Sequence, residues 1–176
     1  MKKVVCTLFA VFVAVTAFAQ NSVLRQRLEL VESENEVTGL ELEVFQMQDN
    51  GIYYLSVGNL GIGSDIVQLQ FDPVFELFLP LGKTLAEAVE TMQSILDFYK
   101  KSNKESMIID GCLSAAYPND NFEAVTVTRR QFLTEKLLEF SVERDGLVRA
   151  TYINRLNFSS LLTNLKLYKK LHPKEK

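Results

Sequence analysis

The stretch TLAEAVETMQSILDFY, residues 84–99, marks a change in apolar period from that of a strand to that of a helix. Thr84 and Glu87 form a capping-box pattern, in which each side chain can accept a hydrogen bond from the backbone amide of the other. The apolar residues then recur three and four positions apart, at Leu85, Ala88, Val89, Met92, Leu96 and Tyr99. The sequence therefore predicts an amphipathic helix over about 84–101.

Before this helix, the apolar residues alternate with the period of two that is typical of strands. Asn50-Gly51 separates two such runs and predicts a hairpin, because both residues tolerate the positive φ of a type I′ turn. Pro73 and Pro80 favour short or edge strands, since proline cannot donate to a ladder. The strands predicted in this part of the chain are 23–31, 37–48, 52–57, 65–71 and 74–79.

The layout after the helix is similar. Asp145-Gly146 predicts a second hairpin, and Asp110-Gly111 is a further turn signal. A second amphipathic helix is predicted over 158–171, with apolar positions at Phe158, Leu161, Leu162, Leu165 and Tyr168. The strands predicted in this part are 107–109, 122–130, 137–144 and 147–154.

Segregated runs of strands and helices indicate an α+β fold. The sequence predicts an antiparallel sheet built from two hairpin-containing halves, with two amphipathic helices, about 84–101 and 158–171, packed on it. We expect a single domain over 20–172, which is long enough for a sizeable core, and a flexible tail at 173–176.

Residues 1–19 have the pattern of a secretory signal peptide that is cleaved before Gln20. A lysine pair precedes the apolar run 4–18, and small residues close it at Ala17 and Ala19. The run is shorter than the ~20 residues that a membrane-spanning helix needs, so we expect no transmembrane anchor. The lysine pair, the short run and the glutamine resemble the start of exported bacterial proteins. We therefore expect a periplasmic or secreted protein.

The composition limits the classes of partner and of chemistry. The chain carries 19 Lys and Arg residues against 22 Asp and Glu residues, which disfavours nucleic-acid binding because that needs clustered cations. Cys6 leaves with the signal peptide, so Cys112 is the one thiol of the mature chain and no intramolecular disulfide can form. We interpret Cys112 as a small buried hydrophobe, with a nucleophile or an intermolecular disulfide as the alternatives.

No motif in the sequence specifies a cofactor or a metal, and we expect neither. Gly58-x-x-Gly61-x-Gly63 reverses the spacing of a dinucleotide-binding loop and is interpreted as a loop between strands. His172 is the single histidine and lies close to the end of the chain. Catalytic triads and histidine-based zinc sites are therefore not expected.

Five residues are candidates for ligand binding. Tyr53 or Tyr54, together with Tyr117, would face a ligand if the sheet leaves a cleft. Asp110 and Asp120 lie in a region of irregular pattern, and loops carry function more often than regular elements do. Asp120 follows Pro-Asn in an ordinary turn sequence, so it does not predict a metal site.

Two classes of function fit these observations. Without a catalytic motif, we favour an exported, non-enzymatic module that binds a protein, a peptide or an envelope component. Lys166, Lys169 and Lys170 make the last helix basic and offer it a contact with an anionic surface such as lipid headgroups. The alternative is a small hydrolase that acts on a cell-wall or host polymer through two carboxyl groups ~5–10 Å apart, one with a raised pKa.

Overall fold

The computed structural model describes residues 25–35, 40–58, 60–62, 71–72, 76–114, 122–144 and 146–173. The strands are β1 (Arg25–Asn35), β2 (Leu40–Met47), β3 (Tyr53–Val57), β4 (Leu60–Ile62), β5 (Phe71–Asp72), β6 (Leu77–Gly82), β7 (Ser106–Ser114), β8 (Phe122–Phe132), β9 (Glu135–Arg144) and β10 (Leu147–Asn154). The helices are α1 (Leu85–Phe98) and α2 (Arg155–Leu171). The predicted signal peptide and most of the strand predicted at 65–71 lie outside the described residues.

The strands form one continuous antiparallel sheet in the order β1-β2-β3-β6-β7-β8-β9-β10-β4-β5. The predicted α+β class is confirmed, but the prediction of a sheet built from two halves is wrong. β6 pairs with β7, and β4, from the first half of the chain, pairs with β10, from the second half. Strands from the two halves of the chain are therefore joined in two places.

The sheet is strongly curved. β3 ends at Val57 and β4 begins at Leu60, yet these strands occupy the third and ninth places in the order. Three peptide units span at most about 11 Å, whereas six strand spacings in a flat sheet amount to about 29 Å. The far side of the sheet must therefore bend back towards β3.

Both helices pack on one face of this curved sheet. Their buried side chains belong to a single apolar cluster with residues of β2, β3 and β6 to β10. Tyr99, just after α1, is buried there, and its hydroxyl donates a hydrogen bond of 2.9 Å to the carbonyl of Ile153 in β10. Desolvation raises the pKa of Tyr99. The end of α1 is thereby fixed to the end of β10.

The start of α1 confirms the predicted capping box. Glu87 N donates to Thr84 Oγ1, and Thr84 N donates to Glu87 Oε2, each over 3.2 Å. The buried face of the helix is rotated slightly from the predicted face. Ile95 is fully buried, whereas Val89 and Leu96 are only half-buried. The helix ends at Phe98, three residues before the predicted end.

The hairpin predicted between β2 and β3 is present, but the predicted type I′ turn is wrong. Met47 N donates to Ile52 O over 2.9 Å, so the loop contains the four residues 48–51. Gly51 has a φ of 68°, whereas Asn50 does not have a positive φ. Instead, the Asn50 side chain accepts a hydrogen bond of 2.9 Å from Ile52 N.

The second predicted hairpin is confirmed, and the Asp110-Gly111 turn is wrong. Arg144 pairs with Leu147, and Gly146 between them has a φ of 71°. Asp110 and Gly111 lie inside β7, where the φ of 72° at Gly111 interrupts the alternation of faces.

Two further expectations for the first half of the chain need correction. β6 is a central strand and not an edge strand. Pro80 is tolerated there because β6 pairs with β7 only through Leu77 and Phe78, among the residues that the structure describes. The glycine-containing segment after β3 is not simply a loop, since Leu60–Ile62 forms β4.

Candidate functional site

The two tyrosines predicted as ligand-binding residues do not line one cleft. Tyr53 and Tyr54 are buried neighbours in β3 and therefore point to opposite faces of the sheet. Tyr53 belongs to the core under the helices, whereas Tyr54 packs with Phe45 and Phe78 on the other face. The ring centroids of Phe45 and Tyr54 are 5.9 Å apart. A role of either tyrosine in ligand binding stays a prediction.

Of the other predicted site residues, Asp110 lies on a different strand from the two tyrosines, and Tyr117 and Asp120 lie outside the described residues. Asp110 is exposed on β7. Cys112 is fully buried, and this desolvation raises the pKa of its thiol to about 12. The side chain is therefore a neutral thiol near pH 7, as expected of a small buried hydrophobe.

Two described carboxyl groups, Asp97 and Glu105, do not fit the general acid of a hydrolase. A hydrogen bond from Lys100 lowers the pKa of Asp97, and the backbone amide of Ser102 lowers the pKa of Glu105. A general acid near neutral pH needs the opposite shift. Buried Glu139 accepts two hydrogen bonds from Arg130, of 2.8 and 3.1 Å. No group of three potential metal ligands occurs among the described residues.

An unusual surface feature lies at the turn between β8 and β9. Phe132 pairs with Glu135 across the hairpin, so Leu133 and Thr134 form a two-residue turn. The exposed fraction is 44% for Phe132 and 84% for Leu133. We call Phe132 and Leu133 the apolar tip.

The backbone of the apolar tip is strained. Leu133 has a φ of 53°, in the left-handed region that residues other than glycine adopt rarely. Glycine normally takes this conformation at the first position of a type II′ hairpin turn. For an L-residue it costs about 1–2 kcal/mol. Because the exposed leucine side chain gains nothing from burial in return, the strain points to a functional reason.

A network of side chains holds the tip in this conformation. Arg129 is buried in β8, and its Nη2 donates to Gln131 Oε1 over 2.7 Å. Gln131 Nε2 in turn donates to the carbonyl of Leu133 over 2.8 Å. Arg129 also donates to the backbone carbonyls of Tyr99 and Arg130. These bonds join the strained turn to the core, so the tip is preorganised.

Two other segments lie at the same end of the sheet. In the loop after α1, Lys104 N donates to Arg129 O over 2.7 Å, and Arg129 N donates to Glu105 O over 2.8 Å. Asn154, the N-cap of α2, pairs with Leu137 near the base of the hairpin. The end of α1, the start of α2 and the apolar tip therefore share one end of the molecule.

Five exposed cations lie at the same end of the molecule as the apolar tip. We call the following exposed residues the cationic rim: Lys100, Lys101, Lys104, Lys136 and Arg155. Leu156, which follows Arg155 of the rim, is 77% exposed and is a third exposed apolar side chain at this end, besides Phe132 and Leu133. Of the acids at this end, Asp97 pairs with Lys100 over 2.6 Å, Glu105 accepts from Ser102 N over 2.9 Å, and Glu135 is exposed. This end is cationic and apolar, although the whole chain has an acidic excess.

The lysines that the sequence predicted for an anionic contact lie elsewhere. Lys166, Lys169 and Lys170 are exposed in the second half of α2. The helix rises about 22 Å between Arg155 and Lys170. Lys166 Nζ donates to Gln93 Oε1 of α1 over 2.9 Å, beside a shallow groove between the helices. Lys169 and Lys170 therefore lie away from the cationic rim, whereas Lys166 lines this groove together with Asp97, the partner of Lys100.

The apolar tip was not predicted, although the sequence carries a signal for it. The predicted strands stopped at Arg130 and resumed at Leu137, which left 131–136 unassigned. The sequence QFLT at 131–134 has no Gly, Asn, Asp or Pro, the residues that dominate turns. An apolar pair between two strands in such a turn was the available indication.

Comparison with protein-family models, curated proteins and solved structures found no match. In the part of the chain that the structure describes, neither helix is long and apolar enough to cross a membrane. The case for a function therefore comes from the geometry of the chain itself.

Proposed function

We propose that this protein is an exported, non-enzymatic binding module of a bacterial envelope, and that it docks through the apolar tip. The observation that carries the proposal is Leu133, an exposed leucine whose left-handed backbone is held by a hydrogen bond from Gln131, which is in turn bonded to buried Arg129. A turn whose backbone is already fixed loses little backbone conformational entropy on docking, so more of the burial energy of its side chains appears as affinity. The proposed export rests on the signal-peptide pattern of residues 1–19.

The basic end of α2 offers a second contact. Lys166, Lys169 and Lys170 are exposed, and Leu167 and Leu171 are exposed beside them. A helix face that combines leucine with lysine suits an anionic surface. We assign this face a supporting role, because it is not strained and forms part of a regular helix.

Removal of the apolar tip tests the proposed function. The double variant Phe132→Ser with Leu133→Ser removes two exposed apolar side chains, each worth ~1 kcal/mol on docking, so we expect at least about a tenfold loss of affinity. The measurement is co-sedimentation of the purified mature protein with the envelope fraction of its own cells.

A matched double variant serves as the control. Ile108→Ser with Leu147→Ser removes two other exposed apolar side chains, 65% and 44% exposed, and should bind as the unaltered protein does. Thermal unfolding of both variants checks that each is folded. Equal binding by the tip variant and the control would rule out docking through the tip.

A further inference from the structure

We infer that the partner of the apolar tip is an anionic lipid membrane, into whose headgroup region the tip inserts. This inference rests on the proposed docking function and adds the chemistry of the partner. Three features of this end favour lipid: the depth of the cationic rim behind the tip, the residue types and the charge.

The cationic rim lies behind the tip at a depth that suits a membrane surface. Lys104 N is bonded to Arg129 O, so Lys104 lies level with Arg129. Leu133 is four residues further along the hairpin, about 13 Å at the rise of a strand. Apolar groups of interfacial segments enter about 5–10 Å, while lysine side chains extend their ammonium groups to the headgroups. Tip and rim can therefore engage the bilayer together.

The residue types at this end suit lipid better than an acidic protein. The hot spots of protein interfaces are enriched in Trp, Tyr and Arg and depleted in Leu. Here the most exposed apolar residues are Leu133 and Leu156, and four of the five cations of the rim are lysines. Lysine is a point charge without the bidentate geometry that selects individual carboxylates. A diffuse anionic surface with an apolar interior matches this combination.

The charge at this end also argues against a second copy of the chain as the partner. Contact between two identical ends would bring two cationic rims together, which is repulsive. Glu135 is the exposed acid closest to the tip in sequence, and it opposes binding to an anionic surface. Asp97 and Lys100 offset each other as an ion pair, and the carboxylate of Glu105 accepts from Ser102 N, so the excess of positive charge comes from the other four cations of the rim.

Vesicle binding of the mature protein tests the inference. The probes are phosphatidylcholine vesicles, and vesicles in which part of this lipid is replaced by phosphatidylglycerol. We expect binding to the anionic vesicles that weakens as salt is added. Each cation near such a surface contributes about fivefold. The variant Lys101→Gln, Lys104→Gln, Lys136→Gln, which spares Lys100 because it is paired with Asp97, should therefore bind about a hundredfold less, and Glu135→Gln should bind more tightly.

A charge-matched comparison locates the contact. The variant Lys166→Gln, Lys169→Gln, Lys170→Gln should lose less affinity than the rim variant does. If it loses the vesicle binding and the rim variant keeps it, the inference is wrong. Equal binding to neutral and anionic vesicles would also overturn it.

The two levels of the proposal fail in different ways. If envelope fractions bind the protein through the tip but anionic vesicles do not, and protease treatment of the envelope removes the binding, the partner is a protein. The docking function then stands and the lipid inference falls. If removal of the tip changes neither envelope binding nor vesicle binding, both fall.

Discussion

Leu133 lowers the stability of the free protein, and we attribute this cost to its proposed docking role. Its backbone has a φ of 53°, and its side chain is 84% exposed, so the free protein carries the strain without a gain from burial. Gln131 compensates in part, because its side chain donates to the Leu133 carbonyl. A residue chosen for stability alone would be glycine.

Replacing Leu133 by glycine should therefore stabilise the fold. We expect Leu133→Gly to raise the free energy of unfolding by about 1 kcal/mol, because glycine adopts this φ without steric strain. Urea unfolding measures the change. Thr134→Gly is the control, since Thr134 does not have a positive φ and should lose about 0.5–1 kcal/mol. If the Leu133→Gly variant unfolds at the same urea concentration as the unaltered protein, or at a lower one, the backbone of Leu133 is not strained.

Single residues differ in how far the sequence predicts their conformation. Thr84 and Glu87 were predicted correctly, because the capping box is a local pattern with a fixed spacing. Asn50 was assigned a positive φ that it does not have, since its side chain shapes the turn instead. The left-handed Leu133 could not be predicted from its residue type, because leucine disfavours that conformation.

The junction between β6 and α1 is an element-level feature that depends on one glycine. Gly82 has a φ of 126°, and a Cβ added there would lie 2.5 Å from Glu87 Cβ. Glu87 cannot easily move away, because its carboxylate accepts from the amides of Lys83 and Thr84. Gly146, in the β9–β10 turn, has a φ of 71° but open space around the position of a Cβ.

These two glycines predict different costs for the same substitution. Gly146→Ala should lower the free energy of unfolding by about 1–2 kcal/mol, through the positive φ alone. Gly82→Ala adds a close contact to that strain and should cost at least about 3 kcal/mol. Thermal or urea unfolding of the two variants compares them. Equal destabilisation would mean that the junction can relax around the added methyl group.

Most helices and strands were predictable, because each has a local period. The strand that returns from Asp145-Gly146 was found with its bounds, and both helices were found with an end displaced by a few residues. β4 was missed, because Leu60–Ile62 is only three residues long, contains a glycine and is defined by its pairing with β10 and β5. Asp110-Gly111 was misread, since a glycine with positive φ can lie inside a strand as well as in a turn.

At the scale of the whole molecule, the order of the strands in the sheet could not be predicted from the sequence pattern. Periodicity identifies strands but not their neighbours, and the pairing of β4 with β10 joins residues far apart in the chain. The candidate site depends on this arrangement. The loop after α1, the β8–β9 turn and the start of α2 meet at one end only in the folded sheet, so the apolar tip and the cationic rim were not predicted together.

A single introduced tryptophan offers a test of docking through the apolar tip. The chain contains no tryptophan, so Phe132→Trp and Leu147→Trp each carry one fluorophore. Both positions are 44% exposed, and they flank opposite ends of β9, about 30 Å apart. With envelope membranes or anionic vesicles, the emission of Phe132→Trp should shift to shorter wavelength while that of Leu147→Trp stays unchanged. The same emission from both variants, shifted or not, would contradict docking through the tip.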